Sequence, residues 1–201
     1  IEGWEADTET VQTVQVTAGS TVTVTMTNKA QAGLRILKYS RTDRQYLSDV
    51  SFEVYRDGVS LGIFKTDAQG EIFLPNCASG TYLCIERNVS GHVLDTTPQQ
   101  VELKAGDGIK TLVFYNDRLP GIHLIKVDSA DPSKTIPNAR FRIEAVDGSY
   151  GPKEFVTSDA GVIDLSDLPV GAYKVTELEC AGYVIDNAER IIQLDGGEQA
   201  Q

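Results

Sequence analysis

The sequence predicts an all-β protein built from tandem β-sandwiches, and two observations carry this prediction. Side chains alternate with a period of two in segments such as residues 21–27, and Gly, Asn, Asp and Pro clusters interrupt these segments about every 8–12 residues. The chain also repeats itself with a period of about 90 residues. Many short strands at that spacing are typical of a sandwich, and no sustained helical pattern competes.

Three motifs in the middle of the chain recur near its end: GLRILK at 33–38 as GIHLIK at 121–126, TDAQG at 66–70 as TSDAG at 157–161, and GTYLCIE at 80–86 as GAYKVTE at 171–177. The N-terminus joins the series, because Gly3 precedes Asn28 by the same 25 residues that separate Gly91 from Asn116. We therefore predict three segments: 1–32 holds the C-terminal strands of a preceding repeat, 33–119 is a complete sandwich, and 120–201 is a second sandwich without its last strand.

Composition excludes several classes of partner. The net charge is −11, with 29 acidic against 18 basic residues, which argues against nucleic acid because phosphate binding requires clustered Lys and Arg. The same charge argues against anionic membrane surfaces. No stretch approaches the roughly 20 apolar residues that span a bilayer, so we expect no direct membrane insertion.

Cysteine and histidine usage predicts neither a metal site nor a cofactor. Cys77, Cys84 and Cys180 cannot all pair within the chain, and a Cys77–Cys84 disulfide across a short turn is the less favoured reading. No CxxC spacing exists, and the only histidines are His92 and His123, so zinc is not expected. Asp128, Asp131 and Asn138 fit either a calcium-binding loop or a solvated turn, and the turn is favoured. His92 is interpreted as a surface turn residue and not as a catalytic base or metal ligand.

Three polar residues fall where the strand alternation calls for apolar ones. Lys38 ends an apolar first strand, Glu86 continues the inward alternation of Tyr82 and Cys84, and Asn116 follows Phe114 on the same face of the last strand. Burying an isolated Lys or Glu costs several kcal/mol unless the group is neutralised or paired. From the residues alone, two interpretations remain open. Lys38 and Glu86 form a buried ion pair capped by Asn116, or the three residues react with one another.

This set of motifs resembles the B-type repeat of collagen-binding adhesins, which also occurs in Gram-positive pilins. The segment 173–183, YKVTELECAGY, is especially similar to the family pattern. The resemblance implies a prealbumin-like or immunoglobulin-like sandwich with an intramolecular isopeptide bond. On this chain it implies a bond between Lys38 and Asn116, promoted by Glu86 as proton shuttle. Burial favours the neutral forms of Lys and Glu, which suits amine attack on the Asn side chain.

The other two segments carry incomplete sets of the same residues. Lys126 and Glu177 repeat the lysine and the glutamate without an acceptor strand, and Asn28 ends a predicted acceptor strand, Val22 to Thr27, without either. One copy's strand could therefore complete another's last unit, as in strand addition at an open sheet edge. Strands that overlay without a bond, or a frayed terminus, are the alternatives.

The resemblance implies a structural repeat of an adhesin or pilin, with neighbouring repeats as partners. It places the protein outside the cell, anchored to the wall of a Gram-positive bacterium. The alternative function is a binding module whose loops recognise a host matrix protein or a glycan. We do not expect an enzyme, because no Ser-His-Asp order, paired-carboxylate signature or phosphate loop is evident; the crosslinking reaction is a single-turnover event.

Overall fold

The computed structural model describes residues 2–7, 11–185 and 188–197, together with the backbone of 199–200. Regular structure in these ranges consists of β-strands, which confirms the predicted all-β class. Within them no helix is long and apolar enough to span a membrane. The chain forms two compact units: the first holds most residues up to Tyr115, and the second most residues from Asn116, together with the loops Ser40–Gln45 and Ser90–Val93.

The described strands are short, as the turn spacing predicts. In chain order they are β1 (Trp4–Ala6), β2 (Asn28–Ala30), β3 (Ala32–Ser40), β4 (Gln45–Tyr46), β5 (Ser51–Arg56), β6 (Val59–Lys65), β7 (Glu71–Cys77), β8 (Gly80–Asn88), β9 (Gln99–Leu103), β10 (Ile109–Asn116), β11 (Gly121–Ile125), β12 (Arg140–Ala145), β13 (Lys153–Val156), β14 (Val162–Leu165), β15 (Gly171–Glu179), β16 (Arg190–Leu194) and β17 (Gln199–Ala200).

The first unit contains two sheets that enclose one apolar core. One sheet has the order β6-β5-β8-β9; in the other, β10, β3 and β4 are neighbours and β7 also pairs with β3. Alternation along β3, β5 and β8 turns every second side chain inward, as expected for strands with one buried face. The buried core residues are Ala32, Leu34, Ile36, Val50, Phe52, Val54, Ile72, Cys77, Tyr82, Cys84, Leu103 and Phe114.

The described residues of the second unit repeat this arrangement with fewer strands. One sheet has the order β13-β12-β15-β16, and the other has the order β14-β11-β17. Its two buried clusters lie at alternate positions of its strands: Phe141, Ile143, Ile163 and Tyr173 are buried, and Leu165 and Val175 pack against them. Both units are therefore all-β and carry the predicted apolar alternation.

The N-terminal arm differs from expectation. β1 and β2 form a small antiparallel pair, but residues 22–27, for which the sequence predicts a strand, have no assigned strand. Every residue from 11 to 30 is exposed. The strand prediction for Val22–Thr27 is wrong for this isolated chain because side-chain alternation creates a strand only where a sheet supplies the hydrogen-bonding ladder.

Candidate crosslink sites

The first site is built where β3 and β8 turn polar residues toward the core. Leu34, Ile36 and Lys38 are buried at alternate positions of β3, and Cys84 and Glu86 continue the buried face of β8. The alternation that places apolar residues inside therefore also places one lysine and one glutamate there. The sequence argument identified both.

Lys38 and Glu86 meet in the interior of the first unit. Lys38 Nζ donates a hydrogen bond to Glu86 Oε2 over 2.8 Å, and both side chains are 0% exposed. Removing two charges from water costs several kcal/mol per ion, and a close pair offsets that cost only with good geometry. The arrangement is thus either a fully desolvated ion pair or, after transfer of one proton, a neutral amine facing a carboxylic acid.

Asn116 is also buried, with 2% of its surface exposed. It is the last residue of β10, and β10 is hydrogen-bonded to β3, the strand that carries Lys38. Two residues earlier, the ring of Phe114 packs on Phe52 with centroids 4.8 Å apart. This packing fixes which face of β10 turns inward, and Asn116 lies on that face.

Lys126 and Glu177 form the corresponding pair in the second unit. Lys126 Nζ lies 3.0 Å from Glu177 Oε1 and 3.2 Å from Oε2. The lysine side chain is 20% exposed and the glutamate side chain 5%, so this pair retains contact with solvent. A groove of about 610 Å³ runs beside the pair, lined among others by Ile122, Leu124, Phe141, Val175 and Ile192.

Asn28 lies apart from both pairs, on the surface of the first unit. It opens β2, is exposed, and pairs in register with Ala6 of β1. The described part of the arm contains no strand equivalent to β3 with a counterpart of Lys38, and none equivalent to β8 with a counterpart of Glu86.

Two features near these sites escaped the sequence argument. Cys180 is buried beside Glu177, and burial raises the pKa of its thiol. His92 forms an isolated antiparallel β-bridge with Arg118; its side chain is only 9% exposed, and its Nε2 lies 3.0 Å from Ser40 Oγ and 3.1 Å from Asp43 Oδ2. Reading His92 as a surface residue was wrong, because contacts between residues this far apart in sequence leave no local signal.

Other polar residues of interest serve local structure. Asp128 accepts hydrogen bonds from Ala130 N and from Tyr183 Oη, and Asp131 accepts from Ser133. Among the described residues no cluster of three or more His, Cys, Asp or Glu side chains could hold a metal ion. The cysteines Cys77, Cys84 and Cys180 are free, so the Cys77–Cys84 disulfide is not formed.

Comparison with known proteins identifies the family to which this fold belongs. A family model described as SpaA, prealbumin-like fold domain, matches residues 32–118 and 120–200. Among solved structures, the Bacillus anthracis TIE protein is 28% identical over 85% of this chain, with a TM-score of 0.46, and the chain spans 32% of that protein. A mutant form of the shaft pilin SpaA from Lactobacillus rhamnosus GG is 13% identical, with a TM-score of 0.51 and coverage of 85% and 96% of the two chains. Nothing among curated proteins matches.

Proposed function

The chain belongs to the family of SpaA prealbumin-like fold domains, and we propose that it is a stalk module of a surface adhesin or pilin whose middle domain is locked by an isopeptide bond. The proposed domains are residues 33–119 and 120–201, preceded by the last strands of another repeat at 1–32. The proposed location is the outer, wall-anchored surface of a Gram-positive bacterium. Neighbouring repeats of the same protein are the proposed partners.

The burial of three polar groups carries this proposal. Lys38 and Glu86 are in contact and completely buried, and Asn116 is buried at the end of the strand beside the one that carries Lys38. An ion pair with no further role could be replaced by apolar residues at little or no cost in stability. A reacting set requires such burial, because burial favours the neutral amine and the protonated acid.

The proposed reaction balances without a cofactor. Neutral Lys38 Nζ attacks Asn116 Cγ while protonated Glu86 donates a hydrogen bond to the side-chain carbonyl and stabilises the developing oxyanion. The Nζ–Cγ amide bond forms, the Cγ–Nδ2 bond breaks, and Glu86 relays a proton to the departing nitrogen, which leaves as ammonia. No electrons are exchanged, so no oxidant is needed.

The bond would serve a stalk in two ways. It closes a loop of about 80 residues, which chain-entropy reasoning values at about 4 kcal/mol of unfolding free energy. It also joins the first strand of the domain to the last, so tension that enters at Leu34 and leaves near Asp117 passes through a covalent bridge. The remaining strands of the sandwich then carry no load.

The intact mass of the denatured protein tests this proposal. We expect monomeric wild type to be lighter than its sequence by one ammonia, and the variants Lys38→Ala, Glu86→Ala and Asn116→Ala to match theirs. Lys126→Ala is the matched control and should keep the loss, because it removes the equivalent lysine of the other unit. A tryptic map should contain a branched peptide joining Lys38 to Asn116. A wild-type monomer at its full sequence mass would reject the bond.

A second candidate function is binding of a host protein, and the edge strand β6 favours it. Val59, Leu61 and Ile63 are exposed at alternate positions of β6, which lies at the edge of its sheet. Such an edge can accept an extended segment of another protein. Leu61→Lys should abolish capture of the protein on immobilised matrix proteins, whereas Leu94→Lys, at another exposed leucine, should not. Equal capture of both variants would remove this candidate.

A further inference from the structure

Four polar residues, Ser40, Asp43, His92 and Arg118, form a hydrogen-bonded group that we call the His92 cluster. By their contacts all four belong to one compact unit. His92 is at its centre: Nε2 lies 3.0 Å from Ser40 Oγ and 3.1 Å from Asp43 Oδ2, and Nδ1 lies 2.9 Å from Ser90 O. Arg118 Nη1 donates to Asp43 Oδ1 over 3.3 Å. The cluster therefore joins three segments that are far apart in sequence.

Each of the three proposed reacting residues is followed closely along the chain by a member of this cluster. The intervals are two residues from Lys38 to Ser40, six from Glu86 to His92 and two from Asn116 to Arg118. Strands β3, β8 and β10 thus lead from the three reacting positions into the same group of side chains.

Backbone hydrogen bonds fix two of these segments to a third. His92 and Arg118 form an antiparallel β-bridge, which joins the segment after β8 to the segment after β10. Arg41 N donates to Asn116 O over 3.0 Å, and Arg118 N donates to Thr42 Oγ1 over 3.1 Å, so the segment after β3 is tied to the end of β10. The side chain of His92 adds a direct bond between the segment after β8 and the end of β3.

The same contact recurs beside the second lysine–glutamate pair, with different residues. Asp128 follows Lys126 by two residues, and Tyr183 follows Glu177 by six. Tyr183 Oη donates to Asp128 Oδ2 over 3.2 Å, and Lys134 Nζ donates to Tyr183 Oη over 3.1 Å. Histidine and tyrosine differ in chemistry, yet each brings a hydrogen-bonding atom to the residue two positions after the lysine. The contact therefore accompanies the lysine–glutamate arrangement in both repeats.

The partners of His92 define what its side chain supplies. Ser90 O and Asp43 Oδ2 can only accept hydrogen bonds, so an N–H on each ring nitrogen satisfies both. The Ser40 hydroxyl lies 3.1 Å from Asp43 Oδ2 and accepts from Asp43 N over 3.0 Å. A donor at the position of His92 Nε2 thus completes the group around Asp43, whose other oxygen pairs with Arg118.

We propose that His92 is a positioning residue for the Lys38–Asn116 crosslink. By holding together the segments that follow the three strands, it keeps the lysine amine aligned with Glu86 and with the Asn116 side chain. This role rests on the reaction proposed above, and the hydrogen bonds of His92 go to none of the three reacting residues. Alignment matters because attack needs the reacting atoms about 3–3.5 Å apart, and a misplacement of about 1 Å can slow a reaction about 100-fold.

Refolding kinetics test this role. Protein recovered in urea from inclusion bodies has not folded, so dilution starts folding and the reaction together, and intact mass after an acid quench reports the loss of ammonia. A short pulse of a thiol reagent before the quench marks molecules that have not yet buried Cys84, which is 0% exposed in the folded chain. The same spectrum then gives the rate of ammonia loss among folded molecules.

We expect folded His92→Phe to lose ammonia about tenfold or more slowly than wild type. His92→Gln should restore most of the rate, because its side-chain amide can donate to Asp43. His123→Phe is the matched control and should react like wild type. His123 also pairs with an aspartate, Asp164, but it belongs neither to the cluster nor to β3, β8 or β10.

The outcomes separate this role from the crosslink itself. Wild type that folds without losing ammonia overturns the crosslink and this role with it. If wild type reacts and His92→Phe reacts equally fast per folded molecule, the crosslink stands and the role of His92 is overturned. A slow His92→Phe that His92→Gln does not rescue also overturns the role, because the defect then comes from the lost ring and not from the lost hydrogen bond.

Discussion

Lys38 Nζ lies 2.8 Å from Glu86 Oε2, and neither side chain is exposed to solvent. The homologous atoms of Lys126 and Glu177 are nearly as close, but that lysine is partly exposed. The two units thus contain the same lysine–glutamate pair, fully buried in the first unit and partly exposed to solvent in the second. This difference makes the pairs useful controls for each other.

Removal of Glu86 should destabilise the first unit strongly. In an Asn116→Ala background, where no bond can form, Glu86→Ala leaves Lys38 buried without its carboxylate. We expect a loss of about 3–5 kcal/mol in the free energy of unfolding, measured by urea denaturation. Glu177→Ala should cost less, because water reaches Lys126. Equal losses for the two variants would contradict the assigned difference in burial.

Removal of the Phe114 ring should show that β10 closes the first core. Phe114 is buried against Phe52, so Phe114→Ala should lower the free energy of unfolding by about 3–5 kcal/mol. Met26→Ala, at an exposed apolar residue of the N-terminal arm, should leave the free energy of unfolding of the monomer within about 0.5 kcal/mol of wild type. A large loss for Met26→Ala in the monomer would mean that the arm covers a core of its own chain.

Cysteine labelling should report the burial of all three thiols. Burial raises the pKa of Cys84 to about 12 and also raises those of Cys77 and Cys180. The reactive thiolate is populated only as the pH rises toward the raised pKa, so native protein at pH 8 should react with a thiol reagent far more slowly than unfolded protein. In urea all three cysteines should react, and rapid native labelling of Cys84 would be inconsistent with this structure.

Gly70 should resist substitution because its backbone conformation and its surroundings both exclude a side chain. Its φ is 70°, and an added Cβ would lie 2.7 Å from Tyr46 Cβ and 3.0 Å from Lys38 O. Gly58, with φ 81° and open space around it, is the matched control for backbone strain alone. Gly58→Ala should cost about 1–2 kcal/mol, and Gly70→Ala about 1–3 kcal/mol more, by thermal unfolding. Equal costs would show that Tyr46 moves aside freely.

The sequence by itself determined the β class, the inward faces of the strands and the identity of the polar residues placed on them. It could do so because strand alternation and turn residues are local signals, and because a lysine or glutamate at an inward position stands out against apolar neighbours. The recurrence of the same motifs added the pairing of Lys126 with Glu177 by analogy to Lys38 with Glu86.

Only the tertiary structure decided which of these polar residues are buried from solvent and which segments become strands. Lys38 and Lys126 occupy equivalent positions, yet the side chain of Lys38 is fully buried and that of Lys126 is partly exposed in a groove. The exposure of each lysine depends on the strands packed around it, and β10 lies beside the strand that carries Lys38. Residues 22–27 have the alternation of a strand, but no strand is assigned to them, and the backbone hydrogen bond from Asp7 N to Thr27 O lies at their end next to the β1–β2 pair. The contacts of His92 with Ser40 and Asp43 likewise join distant parts of the chain, and local sequence carries no record of such contacts.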